Sequence, residues 1–169
     1  MNRAYLAVSA NGCIADAEGG VAWLEQFDGV ELGFDAFISS IQTIVSGRTT
    51  YDQVRGFGVW PYAGKDVIVV SSRPLDDAPD GVRLYSGPLE DLRDVLPNKG
   101  DVWILGGGKL VSAMLNAKLV DRLELFVMPI ILGGGVPLIS DEVGELPLKL
   151  ITCKTHPKEI VELVYDVAD

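Results

Sequence analysis

An apolar strand pattern that runs directly into three glycines and then into an amphipathic helix pattern constrains this chain more than any other stretch. Residues 102–105 form the apolar run, residues 106–108 are the glycines, and residues 109–115 carry the helix pattern. Glycines let a backbone approach an anion closely, and the first turn of a helix offers unpaired N–H groups and the positive end of its dipole. The stretch therefore predicts a phosphate-binding turn on an α/β scaffold.

The charge of the chain limits the partners it can bind. It has 24 acidic and 14 basic residues, a formal net charge of −10, which repels both nucleic acid and an anionic membrane surface. No apolar stretch reaches the roughly 18 residues of a membrane span, and the first residues enter a strand pattern directly, so we expect a cytoplasmic protein. Against this acidity, three basic residues beside glycines or hydroxyls are candidate anion ligands: Arg48, Arg73 and Lys109.

Cysteine content and length set further limits. Cys13 and Cys153 lie far apart and form no C-x-x-C pair, so we predict two buried thiols, no disulfide and no metal site. A length of 169 residues with 48% hydrophobic residues suits one well-buried domain. No linker or repeat divides the chain, and one domain is therefore expected over residues 1–169.

Strand and helix patterns alternate along most of the chain. Strands are predicted at about residues 3–9, 43–46, 67–70, 101–105 and 122–129, and helices at about 32–41, from 48 or 49, from 86–92 and after the three glycines. Near the C-terminus, residues 148–155 and 159–167 predict an antiparallel pair that turns at His156 and Pro157. The expected fold class is α/β, with a mainly parallel central sheet and an antiparallel C-terminal edge hairpin.

Two further loops follow predicted strands, which is where ligands bind in open α/β sheets. The first enters a helix and consists of Gly47, Arg48, Thr49 and Thr50. Its hydroxyls and N–H groups could hold a pyrophosphate, although one of the threonines could equally cap the helix beside a solvated arginine. The second, made of Ser71, Ser72 and Arg73, could bind a phosphorylated ribose, but Ser-Ser-x-Pro is also a common turn.

The glycine turn at residues 106–108 fits neither of the two best-known phosphate motifs. Val111 occupies the last glycine position of G-x-G-x-x-G, and the P-loop spacing is missing. A dinucleotide is therefore favoured over a nucleoside triphosphate. A second glycine run at residues 133–135 precedes an extended pattern instead of a helix, and it is interpreted as a structural turn.

In combination, these spacings resemble the dihydrofolate-reductase-like superfamily, most closely the C-terminal reductase domain of the bifunctional riboflavin-biosynthesis deaminase-reductase and its stand-alone relatives. The resemblance covers nearly the whole chain, with anchors at residues 9–15, 47–51, 71–74, 106–108 and 119–138. It implies a three-layer α/β/α fold and an NADPH-dependent reductase acting on a pterin-like or ribosylaminopyrimidine-like heterocycle. A non-catalytic nucleotide-binding or dimerisation module on the same fold is the alternative.

The resemblance also implies which residues bind each part of NADPH. The pyrophosphate would lie at Gly47, Arg48, Thr49 and Thr50, with Arg48 beside the adenosine ribose. The 2′-phosphate region would contact Ser71, Ser72 and Arg73. The pyrophosphate and nicotinamide ribose would be wrapped by Gly106, Gly107, Gly108, Lys109 and Leu110. The main chain near Ala7 and Ile14 would hold the carboxamide.

The proton donor is harder to assign from the resemblance. Counting back from Gly47 places Glu31 nearest the carboxylate that faces the pterin in dihydrofolate reductases, and Asp35 is the second candidate. A partly buried carboxylate there could assist protonation. Alternatively, Glu31 is a first-turn acid favoured by the helix dipole and Asp35 a solvated residue. Trp23 and Trp60, in loop-rich regions, could stack on a flat heterocycle.

At several positions the sequence departs from the family pattern, which limits the functional assignments that the resemblance supports. Asn11 stands where riboflavin reductase domains commonly have Asp, and Val111 replaces an aromatic residue common in dihydrofolate reductases. The single histidine, His156, is predicted to be a turn residue, and without P-C-x-x-C the chain lacks the zinc deaminase chemistry. Related domains form homodimers, and the plausible contributors to a dimer here are Leu125, Val127, Pro129 and Ile131.

Overall fold

The computed structural model describes residues 1–168, within which it has ten β-strands and three α-helices. The strands are β1 (Asn2–Ser9), β2 (Cys13–Ala15), β3 (Ile41–Gly47), β4 (Asp66–Val70), β5 (Val82–Tyr85), β6 (Asp101–Gly106), β7 (Arg122–Met128), β8 (Val136–Pro137), β9 (Leu148–His156) and β10 (Ile160–Val167). The helices are α1 (Phe34–Ser40), α2 (Arg48–Gly56) and α3 (Gly108–Asn116). Short 3-10 helices cover Ala22–Phe27, Leu89–Asp94 and Pro157–Glu159.

The main sheet has eight strands in the order β5-β4-β3-β6-β1-β7-β10-β9. Every pair from β5 to β7 is parallel, whereas β10 is antiparallel to both β7 and β9. The predicted α/β class, with a mainly parallel sheet and an antiparallel C-terminal edge, is confirmed. The single domain expected over residues 1–169 stays a prediction.

Both faces of the central strands are buried, which explains their uninterrupted apolar runs. On one face α3 packs Val111 and Met114 against Val45, Ile68 and Ile104, all fully buried. On the other, residues of α1 and α2 pack on the alternate side chains of β3, β4 and β6, which are Ile44, Val67, Val69 and Trp103. The period-two alternation of side chains assigns each helix its face of the sheet.

The predicted helix boundaries near residues 32–41 and 86–92 differ from those in the structure. α1 begins only at Phe34, because Gly33 before it has a left-handed backbone with φ of 80°. The segment after Pro88 forms the 3-10 helix Leu89–Asp94 instead of an α-helix. The C-terminal hairpin turns at Pro157–Glu159, and His156 is the last residue of β9, so its prediction as a turn residue is wrong by one position.

The cysteines also differ from expectation. Cys13 is buried, as predicted, but Cys153 is exposed, because it lies on the edge strand β9 and has only β10 beside it. The prediction of two buried thiols is therefore wrong for Cys153. The short strands β2 and β5 were not predicted. Residues 133–135 form the predicted turn, and the extended pattern predicted after it contains β8. In residues 1–168, no helix is long and apolar enough to cross a membrane.

Candidate functional site

Two helices begin side by side at the carboxyl edge of the parallel sheet. β3 leads directly into α2 and the neighbouring β6 leads through Gly107 into α3. The two turns touch: a Cβ atom added to Gly47 would lie 3.4 Å from the carbonyl oxygen of Gly106 and 3.7 Å from the Gly107 nitrogen. The turns after β3 and β6 therefore lie within van der Waals distance of one another.

Neither helix is capped by a side chain. Gly47 is the N-cap of α2 and Gly107 the N-cap of α3, and no side-chain hydrogen bond caps either one. The alternative that Thr49 or Thr50 caps α2 is therefore not what the structure shows. Both threonines lie in the first turn instead, and Thr50 Oγ1 would be 3.4 Å from a Cβ on Gly107. The first N–H groups of two adjacent helices are thus left for another partner.

Arg48 connects the first loop to the second. Its Nε donates to both carboxylate oxygens of Asp52, at 2.9 and 3.0 Å, and its Nη1 donates to the carbonyl oxygens of Pro74, at 2.7 Å, and Arg73, at 3.3 Å. Most of the guanidinium is therefore engaged within the protein. Arg48 fastens the loop after β4 to the start of α2.

The second loop keeps exposed polar groups. Ser71 Oγ accepts a hydrogen bond from the Arg73 backbone N–H at 3.0 Å, which forms the local turn that Ser-Ser-x-Pro predicts. Ser72 is exposed. The Arg73 side chain is 66% exposed, and its nearest carboxylate is Asp52 at 4.0 Å. This loop therefore presents a hydroxyl and a weakly paired guanidinium beside α2.

The third loop, at residues 106–110, packs against the strand pair β2 and β8. Gly108 packs so tightly that an added Cβ would lie 2.1 Å from the carbonyl oxygen of Pro137. Ile14 Cδ1 would lie 3.8 Å from a Cβ on Gly107, and Leu110 Cβ 3.7 Å from one on Gly47. Lys109, in the first turn of α3, is exposed. The structure thus brings together all three predicted loops and Ile14.

A cavity of about 340 Å³ opens beside the same part of β1. Its lining residues come from β1, β7 and the segment around the start of α1: Tyr5, Ala7, Val30, Glu31, Leu32, Phe34, Asp35 and Phe126. Ala7 lines the cavity, and the preceding Leu6 points to the other face, where its Cδ2 would be 3.6 Å from a Cβ on Gly106. The cavity and the glycine turn therefore flank the same two residues of β1.

The two candidate proton donors both line this cavity. Glu31 and Asp35 are exposed, so the partly buried carboxylate expected from the resemblance is not what the structure shows. Within residues 1–168, neither carboxylate accepts a hydrogen bond or forms an ion pair. Both are therefore open to a ligand in the cavity.

Tyr5 lines the cavity and holds the backbone of Leu32 beside it. Its ring stacks on Phe37 at 4.1 Å between centroids and tilts against Phe126 at 4.7 Å. Its hydroxyl donates to the Leu32 carbonyl oxygen at 2.9 Å. Burial raises the pKa of Tyr5 well above its usual range, and the carboxylates of Glu124 and Glu162 add to the effect. The hydroxyl therefore remains a donor at neutral pH.

Replacing Tyr5 by phenylalanine is expected to lower the free energy of unfolding by about 1 kcal/mol, because the Leu32 carbonyl loses its donor. The loss is constant below about pH 10. It shrinks above that pH, where the unfolded tyrosine ionises before the folded one. Urea denaturation at several pH values measures it. Tyr165→Phe is the control, since the Tyr165 hydroxyl has no hydrogen-bond partner within the described chain. Equal losses in both variants would contradict the assigned role.

The tryptophans predicted to stack on a ligand lie elsewhere. Trp60 packs edge-on against Tyr51 and Tyr62, and Trp23 packs in the cluster that contains Phe126. Neither lines the cavity. In residues 1–168 the buried indole nitrogens of Trp23 and Trp60 have no hydrogen-bond partner.

Asn11 closes the loop that follows β1. Its side chain accepts a hydrogen bond from the Leu132 N–H at 3.0 Å and donates one to the Leu132 carbonyl at 2.9 Å. This pairing needs a donor and an acceptor on one side chain, which asparagine has and an ionised aspartate lacks. The departure at position 11 therefore has a structural reason in this chain.

The aromatic wall of the cavity is what sequence reasoning missed. Tyr5 and Ala7 share one face of β1, Phe126 lies on the same face of the adjacent β7, and Phe34 begins α1. Period-two alternation in β1 and β7 could have placed Tyr5 and Phe126 on one side of the sheet. That β1 and β7 are neighbours in the sheet, however, depends on pairing between distant segments, which the alternation within each strand does not show. Among residues 1–168, no group of three or more His, Cys, Asp or Glu residues could hold a metal ion.

The comparisons with known proteins agree with this geometry. A model of the RibD C-terminal domain matches residues 86–161. The uncharacterized protein YwjB of Bacillus subtilis (strain 168) is 32% identical over 156 residues, which cover 86% of this chain and 86% of YwjB. The chain belongs to the RibD C-terminal domain family. The family predicted from the sequence is therefore confirmed.

Solved structures extend the likeness to the whole fold. The crystal structure of a "Putative riboflavin biosynthesis protein" from Shewanella sp. PV-4 matches with a TM-score of 0.85 at 30% identity and covers 99% of both chains. Dihydrofolate reductase from Enterococcus faecalis, complexed with NADP(H), matches with a TM-score of 0.71 at 22% identity, covering 100% of this chain and 97% of the enzyme. This member of the RibD C-terminal domain family thus has a dihydrofolate-reductase-like fold.

Proposed function

We propose that this chain is an NADPH-dependent reductase that acts on a heterocycle bound in the cavity beside Tyr5. The observation that carries the proposal is the meeting of two uncapped helix N-termini at the Gly47 and Gly106 turns. Paired helix N-termini suit the two phosphates of a dinucleotide. The cavity and the glycine turn flank neighbouring residues of β1, Ala7 and Leu6, and the nicotinamide end of an extended cofactor is proposed to reach the cavity past them. The alternative, a binding module without catalysis, shares the cofactor loops but predicts no turnover.

Each loop has a proposed part in binding. The main-chain N–H groups of residues 47–50 and 106–110, with the Thr49 and Thr50 hydroxyls, hold the pyrophosphate. Ser71, Ser72 and Arg73 contact the 2′-phosphate, while Arg48 keeps their loop in place through the carbonyls of Arg73 and Pro74. The main chain near Ala7 and Ile14 holds the carboxamide. When bound, NADPH supplies the hydride.

The cavity residues orient the acceptor and supply a proton. Tyr5, Phe34 and Phe126 form flat apolar walls that keep a ring in one plane. Glu31 or Asp35, both open to the cavity, donates the proton to the reduced ring or passes it from water.

Nucleotide titrations test the proposed cofactor site. Arg73→Ala is expected to weaken NADPH binding about tenfold and to leave NADH binding within about twofold, since a hydrogen bond between charged groups contributes about 1.5 kcal/mol at the low end of its range. Fluorescence titration gives both dissociation constants. Arg83→Ala removes the same charge from an exposed pair with Asp66 on strands β4 and β5 and is the control. Failure of the wild-type protein to bind either nucleotide would overturn the proposal.

The homodimer also belongs to this proposal. Leu125 and Val127 are half-buried on β7, and Pro129 and Ile131 are exposed, Ile131 at 75%. On the same sheet face, Leu163 of β10 lies opposite Leu125, and the exposed Cys153 lies opposite Leu163. An apolar sheet face of this kind suits a second copy of the chain. Light scattering at micromolar concentration tests it, and a monomeric mass would contradict it.

A further inference from the structure

The cavity beside Tyr5 has the walls of a site for a flat ring. Phe34 and Phe126 flank Tyr5, with centroid distances from its ring of 6.1 and 4.7 Å. Val30 and Leu32 complete the apolar lining. A volume of about 340 Å³ is at the small end of ligand pockets in proteins, enough for a single or fused pair of rings but small for a long substituent.

The charge of the cavity is negative. Glu31 and Asp35 are the two ionisable carboxylates among its lining residues, and neither has a protein partner within residues 1–168. Carboxylates only accept hydrogen bonds when they are ionised, so they favour N–H donors or positive charge on a ligand. A phosphate brought to the same cavity would meet two like charges.

Basic residues near the cavity are already engaged. No lysine or arginine lines it in the described part of the chain. Arg3, two residues before Tyr5, donates from Nε to Glu124 at 2.6 Å and from Nη1 to Asp101 at 3.0 Å. Lys158 gives its ammonium group to the carbonyl oxygens of Gln26 and Asp28, at 2.8 and 2.9 Å.

The remaining basic residues of interest lie at the nucleotide loops. Arg73 and Lys109 are exposed there, beside the starts of α2 and α3. Positively charged side chains thus lie at the loops proposed for the cofactor phosphates. Among the described residues, the charged side chains that line the cavity proposed for the acceptor are carboxylates only. This division separates a phosphate-binding half of the site from a half that repels phosphate.

We infer that the acceptor is a flat, uncharged or cationic heterocycle that bears no phosphate and turns N–H groups toward Glu31 and Asp35. The inference rests on the proposed function, because it takes this cavity as the acceptor site. It distinguishes between the two heterocycle types that the resemblance leaves open. The carboxylates disfavour binding of a ribosylaminopyrimidine phosphate relative to an unphosphorylated pterin or aminopyrimidine nucleoside.

Calorimetric binding of a matched ligand pair tests the inference. The probes are a ribosylaminopyrimidine phosphate, the nucleoside obtained from it with phosphatase, and the uncharged dihydrobiopterin, each measured with and without NADP⁺. We expect the nucleoside to bind at least about tenfold more tightly than the phosphate at low ionic strength, and the ratio to fall with added salt. The double variant Glu31→Gln with Asp35→Asn is expected to reduce the ratio to under about threefold.

The control changes the same charge outside the cavity. Glu25→Gln with Asp28→Asn removes two exposed carboxylates that do not line it, and this variant should keep the wild-type ratio. Both double variants alter exposed side chains, and thermal unfolding verifies that they fold. Equal or tighter binding of the phosphate to the wild-type protein would overturn the inference, as would binding of neither the nucleoside nor dihydrobiopterin. These measurements do not depend on turnover, so failure of the proposed reductase activity would be seen separately.

Discussion

Gly108→Ala is expected to lower the free energy of unfolding by about 3 kcal/mol or more. An alanine Cβ at this position would lie 2.1 Å from the Pro137 carbonyl oxygen and 2.9 Å from that of Leu138. Both obstacles are backbone atoms, which cannot move aside as a flexible side chain can. Either α3 or the segment around β8 must shift. Because α3 begins at Gly108, the shift would also disturb the uncapped N–H groups proposed for the cofactor.

Urea denaturation of Gly108→Ala and of a second helix-terminal variant measures this effect. Gly56 is the last residue of α2, and an added Cβ there would meet nothing within 4 Å. Gly56→Ala is therefore expected to be neutral or to stabilise the protein by up to about 1 kcal/mol, since alanine is the better helix former. Equal stability of the two variants would show that α3 does not pack against β8 as described.

Replacing the proton donor is expected to raise the free-energy barrier of the reaction by an amount similar to the loss of folding stability in Gly108→Ala. Glu31→Gln should reduce the turnover of a reducible heterocycle about 100-fold if Glu31 is the donor, since a positioned acid typically contributes that much or more. Asp35→Asn should then reduce it by less than about tenfold. Steady-state kinetics of both variants assign the role, because the larger loss identifies the donor.

Two further readouts separate a proton-transfer role from a binding role. NADPH binding should be unchanged in both variants, since neither Glu31 nor Asp35 lies at the nucleotide loops. The loss should fall mainly on kcat, whereas loss of a hydrogen bond made equally in ground and transition states would raise KM instead. Unchanged turnover in both variants would contradict the assignment of either carboxylate.

The sequence was sufficient for the longer strands, β1, β3, β4, β6, β7, β9 and β10, and for the loops that follow the parallel ones. Unbroken apolar runs identify strands such as β4, and the carboxyl ends of parallel strands share one edge, so the loops at Gly47, Ser71 and Gly106 could be grouped without a structure. Local patterns also identified the C-terminal hairpin. Its turn lies one residue later than predicted, because Pro157 begins a short 3-10 helix.

The rest of the site depends on contacts between distant segments. The cavity joins Tyr5, residues 30–35 and Phe126, which only the pairing of β1 with β7 brings together. The Nη1 group of Arg48 donates to carbonyl groups 25 and 26 residues away, so local sequence could indicate only its i,i+4 pair with Asp52 and not its contact with the loop after β4. Cys153 is exposed because β9 is an edge strand, a property of sheet order rather than of residues near Cys153.

Deuterium transfer from NADPH that carries deuterium at both hydrogen positions of nicotinamide C4 tests the central claim most directly. The labelled nucleotide is mixed with the wild-type protein and with heterocycles that bind in the cavity, and the products are analysed by mass spectrometry. The account predicts deuterium on the ring of an unphosphorylated heterocycle, with formation of NADP⁺. Binding of both NADPH and the heterocycle with all deuterium retained in the nucleotide would contradict it, and would identify the chain as a binding module instead of a reductase.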